Sequence, residues 1–291
     1  MASNHLFIIG APRSGTNALR DVICKSPLFV TWPCDEINYA WKYSNKFYQY
    51  DDLSLNHINN EVRNYLYRMF NRLELKHKTA RFVVEKTCAN CLRIPFVDGI
   101  FNDSCYVYIR RDPRDVLFSM LKRWRAPIDF PYLLRKFWYV PKGDVAYYFL
   151  NFLYLRFRQK LSSDNVLPSW GPRFSGIDSF RSNVSFIELC LLQWYKCCFS
   201  AESNLLKLKH NGVKVYFLDY NYFVENPVDL LLDIHQFLSC PVDLNALSLN
   251  CKIVHSNSVG LGLRNLDRAT LDFIDEFLLT NPQLPLFNGQ Y

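Results

Sequence analysis

The chain has 291 residues, of which 49% are apolar and 16% aromatic, and it carries a formal net charge of +7. This length and apolar content allow a sizeable core and exclude global disorder. Lys and Arg are spread along the chain rather than gathered in blocks, which argues against nucleic-acid binding and indicates an anionic ligand or surface. We expect one domain over residues 1–291.

The first residues run directly into an apolar strand without a signal-peptide pattern, and no stretch approaches about 20 uninterrupted apolar residues. We therefore expect a cytoplasmic protein without a transmembrane helix.

Ten cysteines occur, several in apolar segments, and we expect them to be reduced. Cys88 and Cys91 form a C-x-x-C, for which a redox pair is the alternative to two structural thiols. A zinc site would need a second ligand pair, and the sequence nearby has none.

Strand and helix patterns alternate along the chain. A buried strand at 5–10 is followed by a glycine-bounded turn and a helix that ends before Pro27. Residues 28–50 are expected to be irregular and aromatic. Further strands are predicted at 82–84, 105–109 and 213–219. Helices are predicted at 56–77, from Pro113 to about 124, and at 185–209, 227–239 and 267–280, with a loop at 255–264.

This alternation predicts an α/β fold with three layers, α/β/α, around a central parallel sheet like that of P-loop NTPases. Residues 126–184 are rich in Pro, Tyr, Phe and Arg, and we interpret them as an inserted lobe or lid, helical or irregular, on the acceptor side. A surface that faces a membrane and simple packing of the segment on itself are the alternatives. Ligands of such sheets bind outside the carboxyl ends of the strands. Arg13, Lys86 and the pair Arg110 and Arg111 all fall at predicted strand ends.

The stretch FIIGAPRSGT at 7–16 is the most informative part of the sequence. A strand that runs through a glycine turn into a helix points backbone N–H groups at one place and makes an anion site. Gly10 and Gly15 keep the Walker A spacing, G-x-x-x-x-G-K-[ST], but Thr16 stands at the Lys position and Asn17 at the Mg²⁺-binding position. The pattern predicts a phosphate loop without NTPase chemistry; a plain glycine turn is the alternative.

Three motifs in order resemble those of sulfotransferases that use 3′-phosphoadenosine 5′-phosphosulfate (PAPS). Residues 10–16 resemble the 5′-phosphosulfate loop in its Pro-Arg-Ser-Gly-Thr form. Residues 111–119, RDPRDVLFS, resemble the 3′-phosphate element, and residues 85–90, EKTCAN, resemble the strand-end Lys segment of bacterial members. The resemblance spans most of the chain and is strongest over 5–35, 82–125 and 213–264.

The resemblance implies a set of residues that hold PAPS and its product, adenosine 3′,5′-bisphosphate. Arg111 and Ser119 would bind the 3′-phosphate, with Arg264 from a loop at 258–264 that matches the family pattern only in part. Arg110 is either a second phosphate contact or turned away. The 5′ end would be bound by the residues of the loop, which are Pro12, Arg13, Ser14, Gly15, Thr16 and Asn17.

The resemblance also implies metal-free catalysis, with Arg13 and Lys86 stabilising the charge that develops on the leaving 5′-phosphate. The alternative for Lys86 is a structural ion pair with Glu85 or Asp112. Glu36 is our candidate for the base that takes the proton of the acceptor hydroxyl. Asp35, His57 and Glu85 are the competing bases, and a plain surface carboxylate is the alternative to all of them.

The predicted function is sulfuryl transfer from PAPS to a hydroxyl of a carbohydrate, a glycolipid or another small molecule. The aromatic and Arg side chains of 28–50 and 126–184 suit a sugar, a glycolipid or a phenol equally. A non-catalytic binding protein with this fold is one alternative. A P-loop kinase is the other, although the loop lacks the Lys that it requires.

Overall fold

The computed structural model describes residues 4–124, 136–161, 170–281 and 284. Within these residues, five strands form one sheet: β1 (Asn4–Ile9), β2 (Phe29–Val30), β3 (Phe82–Glu85), β4 (Ser104–Arg110) and β5 (Val215–Asp219). Their spatial order is β2-β3-β1-β4-β5, and every neighbouring pair is parallel. The predicted α/β class with a central parallel sheet is confirmed.

Helices join the strands and follow the last of them. The first half of the described chain holds α1 (Thr16–Ile23), α2 (Asn38–Trp41), α3 (Asn60–Lys76), α4 (Ile94–Ile100), α5 (Pro113–Trp124) and α6 (Val145–Leu161). The second half holds α7 (Ile177–Asn183), α8 (Phe186–His210), α9 (Tyr220–Glu225), α10 (Pro227–Phe237), α11 (Leu244–Cys251), α12 (Leu261–Asn265) and α13 (Arg268–Thr280). None of the described helices is both long and apolar enough to cross a membrane.

The sheet separates two apolar cores, because alternate side chains of a strand point to opposite faces. Phe7 and Ile9 of β1 belong to one core, and Leu6 and Ile8 belong to the other. Helices α3, α4, α5 and α8 cover the first face, whereas α1, α10 and α11 cover the second. Burial from both sides explains why β1 and β4 are continuous apolar runs.

The structure differs from the prediction where local patterns are short. The segment 28–50, predicted to be irregular, contains β2 and α2. The sequence does not reveal β2 because a two-residue strand is too short to show a period. The loop predicted at 255–264 contains the start of α12 at Leu261. The helix predicted at 56–77 begins at Asn60, since the side chain of Asn59 accepts the N–H of Val62 and caps it.

The inserted lobe is described only in part. It contains a short 3-10 turn at 142–144, followed by α6 and α7. Residues 126–135 and 162–169 of this predicted segment lie outside the described residues. That the chain is one domain with a lobe on the acceptor side stays a prediction.

The strand order places the ends of β1 and β4 side by side. From β1 the chain passes to β2 and β3 on one side of the sheet, and then crosses to β4 and β5 on the other side. Parallel sheets bind ligands where the strand order reverses in this way, outside the carboxyl ends. The loop after β1 and the Arg pair at the end of β4 meet at this point.

Candidate active site

The loop between β1 and α1 has the backbone of an anion cradle. Arg13 and Gly15 have positive φ angles of 69° and 91°. This conformation is uncommon and costly for Arg, and such strain occurs mostly at functional sites. Helix α1 has no side-chain cap at its N-terminus. Uncapped amides at the start of a helix can bind an anion.

Three buried polar atoms beside this loop have no hydrogen-bond partner among the described residues: Ser14 Oγ, Asn17 Oδ1 and Arg111 Nε. Buried polar atoms in folded proteins nearly always have partners, and each exception calls for an explanation. All three residues belong to the group for which the sequence predicts PAPS binding. A polar ligand that bridges the loop and Arg111 would satisfy them.

Arg111 is held in place by an aromatic ring, two backbone carbonyls and one carboxylate. It lies over the ring of Tyr220, with its guanidinium carbon 4.2 Å from the ring centroid. It donates hydrogen bonds to the backbone carbonyls of Arg13, at 3.1 Å, and of Ser258. The carboxylate of Asp115 lies 3.6 Å away. The guanidinium is thus pre-oriented next to the phosphate loop.

The loop at 258–264 lies against α5, the helix that carries Ser119. Asp115 accepts the N–H groups of Gly260 at 2.9 Å and of Gly262 at 2.7 Å. A Cβ on Gly262 would lie 2.3 Å from the backbone of Arg114, so only glycine permits this approach. Arg264 is exposed on the same loop and donates to the carbonyl of Val259.

The structure brings Arg13 and Ser119 together and separates the two neighbouring arginines. Arg13 Nε donates to Ser119 Oγ at 2.8 Å, although the residues are 106 positions apart. Arg110 Nη1 lies 3.5 Å from Glu202, which also accepts the hydroxyl of Tyr108 at 2.8 Å. Of the two alternatives open for Arg110, the structure favours the one in which it is turned away.

Glu36 and Lys86 form the second part of the site. Lys86 Nζ donates to Glu36 Oε1 at 3.1 Å, the backbone N–H of Cys88 donates to the same oxygen at 3.3 Å, and Lys136 Nζ lies 3.6 Å from Oε2. Burial would raise the pKa of Glu36, but the two lysines outweigh it and hold that pKa well below its usual range. Burial would likewise lower the pKa of Lys86, but Glu36 outweighs it and raises that pKa. The pair is therefore ionised at neutral pH.

The competing bases are engaged elsewhere. Asp35 pairs with Arg20 at 3.2 Å, and His57 caps a turn through hydrogen bonds with Ser54. Glu85 accepts the hydroxyl of Thr87 at 2.5 Å and the amide of Asn90 at 2.6 Å, and burial raises its pKa. Asp112 caps the start of α5 through the N–H of Arg114. The ion-pair partner of Lys86 is Glu36, instead of the Glu85 or Asp112 of the structural alternative.

All ten cysteines are free thiols. Cys88 lies under the loop, with Sγ 3.8 Å from Thr16 Oγ1. Burial raises the pKa of Cys88 to about 12 and that of Cys91 well above its ordinary value. Because the thiolate is the reactive form, the raised pKa values favour two structural thiols over a redox pair. Among the described residues, no three His, Cys, Asp or Glu side chains form a group that could hold a metal ion.

Sequence reasoning missed four contributors to this site. Tyr220 supports both Gly15 and Arg111, and it could have been found because it follows the carboxyl end of β5, as Arg13 follows that of β1. Ser258 and Asp115 hold the C-terminal loop but carry no local signal. Lys136 lies in the lobe, 100 positions from the Glu36 that it contacts.

The loop differs from a Walker A motif, because Thr16 stands at the Lys position and Asn17 at the Mg²⁺-binding position. Residues 5–140 match the sequence model of the Sulfotransferase family, and this range contains all three motifs. The predicted resemblance is confirmed, and residues 5–140 are similar to that family. No curated protein sequence gives a significant match.

Solved structures with a similar fold include sulfotransferases. The sulfotransferase domain from the curacin biosynthetic pathway is 14% identical, with a TM-score of 0.50 over 97% of this chain and 93% of that chain. A sulfotransferase from Alicyclobacillus acidocaldarius is 14% identical, with a TM-score of 0.49 over 96% and 92% of the two chains. Mouse sulfotransferase SULT7A1 complexed with PAP is 14% identical, with a TM-score of 0.47 over 97% and 86%. At 14% identity, the similarity to the curacin-pathway domain shows a shared fold and nothing more.

Proposed function

We propose that this protein is an enzyme that transfers a sulfuryl group from PAPS to a hydroxyl of an acceptor, without a metal ion. The observation that carries the proposal is a set of buried polar atoms around an uncapped helix start, on Ser14, Asn17 and Arg111, that have no partner among the described residues. Ser14 Oγ and Arg111 Nε are donors of the type that phosphate and sulfate oxygens require, whereas Asn17 Oδ1 can accept a hydrogen bond from a hydroxyl or amine of the ligand. The residues present therefore fit the predicted co-substrate.

The phosphate loop, the segment 111–119 and the loop at 258–264 would together bind PAPS. Residues 12–17 would hold the 5′-phosphosulfate through backbone amides and short polar side chains. Arg111, Ser119 and Arg264 would hold the 3′-phosphate. Arg13 donates a hydrogen bond to Ser119, which is one of the residues proposed to bind the 3′-phosphate. This contact favours a role for Arg13 between the two phosphate subsites.

Glu36 would act as the general base. PAPS supplies the sulfuryl group, so the acceptor oxygen forms a bond to sulfur while the bond from sulfur to the 5′-phosphate oxygen breaks. Glu36 accepts the hydroxyl proton and later releases it to water. The two lysines keep Glu36 ionised, and Lys86 also places a positive charge at the strand end nearest the phosphate loop. Positioning and charge of this kind provide most of the catalysis in group transfer of this type.

Any weakening of the bond between Lys86 and Glu36 strengthens the base. The pKa of Glu36 is low because of its two lysine neighbours, since burial by itself would raise it. If Lys86 turned toward an anion in the loop, the pKa of Glu36 would rise toward the range in which a carboxylate accepts protons well. The ion pair thus couples the anion site to the base.

Binding of adenosine 3′,5′-bisphosphate, measured by thermal unfolding in EDTA, tests the co-substrate. A ligand that binds only the native state stabilises it by about 2.7 kcal/mol at 100 times its Kd, so we expect a clear rise in Tm. AMP, which lacks the 3′-phosphate, is the matched control and should give a much smaller rise. No rise with millimolar bisphosphate would overturn the proposal.

Transfer itself is tested with PAPS that carries labelled sulfur and a panel of glycans, glycolipids and phenols. We expect label in at least one acceptor, and the same rate with EDTA and with added Mg²⁺. Nucleotide binding without transfer to any acceptor would favour the non-catalytic alternative. A requirement for Mg²⁺ would contradict the metal-free mechanism.

A further inference from the structure

A wide groove adjoins the Glu36 end of the site. It has a volume of about 1350 Å³ and lies between α3, the segment 31–33 and the segment 138–144. Residues 31–33 lead directly to Glu36. On the other wall, the N–H of Tyr139 donates to the carbonyl of Lys136, whose side chain contacts Glu36. The residues at this end of the groove are thus close neighbours along the chain of Glu36 and of Lys136.

A column of cations follows one side of this groove. Arg68, Arg72 and Lys76 are exposed on α3 at a spacing of four residues. With a rise of 1.5 Å per residue, their backbone positions are about 6 Å apart along the helix axis. None of them has an ion-pair partner among the described residues, and Arg68 donates to the carbonyl of Asn64 in its own helix. Like charges at this spacing destabilise a helix, so helix stability does not explain the column.

The opposite wall adds charge of the same sign. Lys142 lines the groove and also has no ion-pair partner among the described residues. The groove contains two carboxylates, those of Asp144 and Glu61. Asp144 is buried and paired with Lys46 at 2.5 Å, whereas Glu61 accepts the hydroxyl of Ser44 at 3.4 Å. Five Lys and Arg side chains thus face two carboxylates.

Aromatic rings provide the other surface of the groove. The rings of Tyr43 and Tyr65 stack with centroids 4.1 Å apart. Phe47 is 74% exposed and Trp138 is 86% exposed. Exposed apolar patches rimmed by polar residues mark interaction sites, and Phe47 and Trp138 both line this groove. Flat ring faces beside cations suit sugar rings that carry carboxylate or sulfate groups.

We propose that this groove binds an extended acidic carbohydrate and presents one of its hydroxyls to Glu36. The role of this carbohydrate as acceptor rests on the proposed function, whereas its binding does not. A carbohydrate has a hydroxyl on every ring, so any register along the cation column brings one to the base. An extended peptide would gain from pairing with a sheet edge, but β2, the edge strand on this side, has only two residues.

The test is binding of hexagalacturonate, with neutral maltohexaose as the control ligand, measured by calorimetry without PAPS. The groove variant R68Q/R72Q/K76Q keeps the helix propensity and removes three charges. The control variant K196Q/K207Q/K252Q removes three exposed charges outside the groove. We expect only hexagalacturonate to bind, with affinity that falls as salt rises. The groove variant should lose about tenfold in affinity, and the control variant should bind like the wild type.

Several results would overturn the proposal. These are equal binding of maltohexaose, equal losses in the two variants, and no binding of hexagalacturonate at low salt. Tighter binding of an acidic tyrosine peptide, of an RNA oligomer or of vesicles with anionic phospholipid would assign the groove to that class of partner instead. The quenching of tryptophan fluorescence by hexagalacturonate should fall in W138A, since Trp138 lines the groove.

The failure of this inference and that of the proposed function are distinguishable. The groove variant should keep the rise in Tm with adenosine 3′,5′-bisphosphate, because its substitutions lie outside the phosphate loop. A rise in Tm with no carbohydrate binding overturns the groove and leaves the transferase standing. Carbohydrate binding with no rise in Tm supports the groove and overturns the transferase.

Discussion

The phosphate-loop side of the site has polar atoms without partners, whereas on the Glu36 side the charged groups are paired with each other. Around the loop, Arg111 is oriented by backbone carbonyls, an aromatic ring and the carboxylate of Asp115, yet its Nε has no partner among the described residues. Around Glu36, two lysines and one backbone N–H contact a single carboxylate. Both sides lie at the carboxyl edge of the same sheet.

This difference matches the two proposed roles, which are anion binding on the loop side and proton transfer on the Glu36 side. A site that binds an anion benefits from polar groups without protein partners, because the ligand can supply their hydrogen bonds. A base must instead stay ionised before the acceptor arrives, and neighbouring cations ensure this. Substitutions on the two sides should therefore have different effects, and the following predictions separate them.

The largest effect is expected from Glu36→Gln. This variant keeps the size of the side chain but cannot accept a proton, so the transfer rate should fall by about 10²- to 10⁴-fold. The rise in Tm with adenosine 3′,5′-bisphosphate should persist. Rates are measured with labelled PAPS on any acceptor that the wild type uses. Asp35→Asn is the matched control and should retain most of the activity; the opposite pattern would move the base to Asp35.

The two neighbouring arginines should separate affinity from stability. Arg111→Ala removes charge-assisted hydrogen bonds, so the Kd for adenosine 3′,5′-bisphosphate should rise by about 10- to 100-fold. Arg110→Ala leaves Glu202 buried next to Tyr108 and should lower the unfolding free energy while the Kd stays the same. Calorimetric titration and chemical denaturation measure the two quantities. A similar loss of affinity in both variants would contradict the assignment of Arg111.

A pair of glycines tests the support that Tyr220 gives to the loop. Both Gly15 and Gly212 have positive φ, at 91° and 86°. A Cβ on Gly15 would lie 2.4 Å from the Tyr220 ring, whereas one on Gly212 meets nothing within 4 Å. Gly212→Ala should cost about 1 kcal/mol of unfolding free energy from backbone strain alone, and Gly15→Ala at least about 2 kcal/mol. Equal losses would show that Tyr220 moves freely away from the loop.

The smallest expected effect is a change in pH dependence. The pKa of Glu36 is depressed, so the stability that its ion pair contributes is fully present above about pH 4.3 and is lost as the pH falls below it. Lys86→Met removes the stronger of the two cations, and burial should then raise the pKa of Glu36. Lys136→Met should raise it less. Titration of the Glu36 carboxyl by NMR measures both shifts, and an unchanged pKa in Lys86→Met would contradict the coupling.

Sequence patterns determined the features that depend on local periodicity and spacing. The apolar runs of β1 and β4 indicated strands that are buried on both faces, and the alternation with helices gave the parallel sheet. The spacing of Gly10 and Gly15, together with the missing Walker Lys, indicated a phosphate loop of another kind. The rule that ligands bind at carboxyl ends placed Arg13, Lys86 and Arg111 at one edge before any contact was known.

The tertiary structure decided which charge faces which. Arg110 and Arg111 are adjacent and chemically identical, yet one pairs with Glu202 and the other stacks on Tyr220, because successive residues at a strand end point to opposite faces. The pairing of Glu36 with Lys86 spans 50 positions, and its contact with Lys136 spans 100. Local sequence carries no record of such distant neighbours, so only the folded chain shows how the base is ionised and where the groove beside it begins.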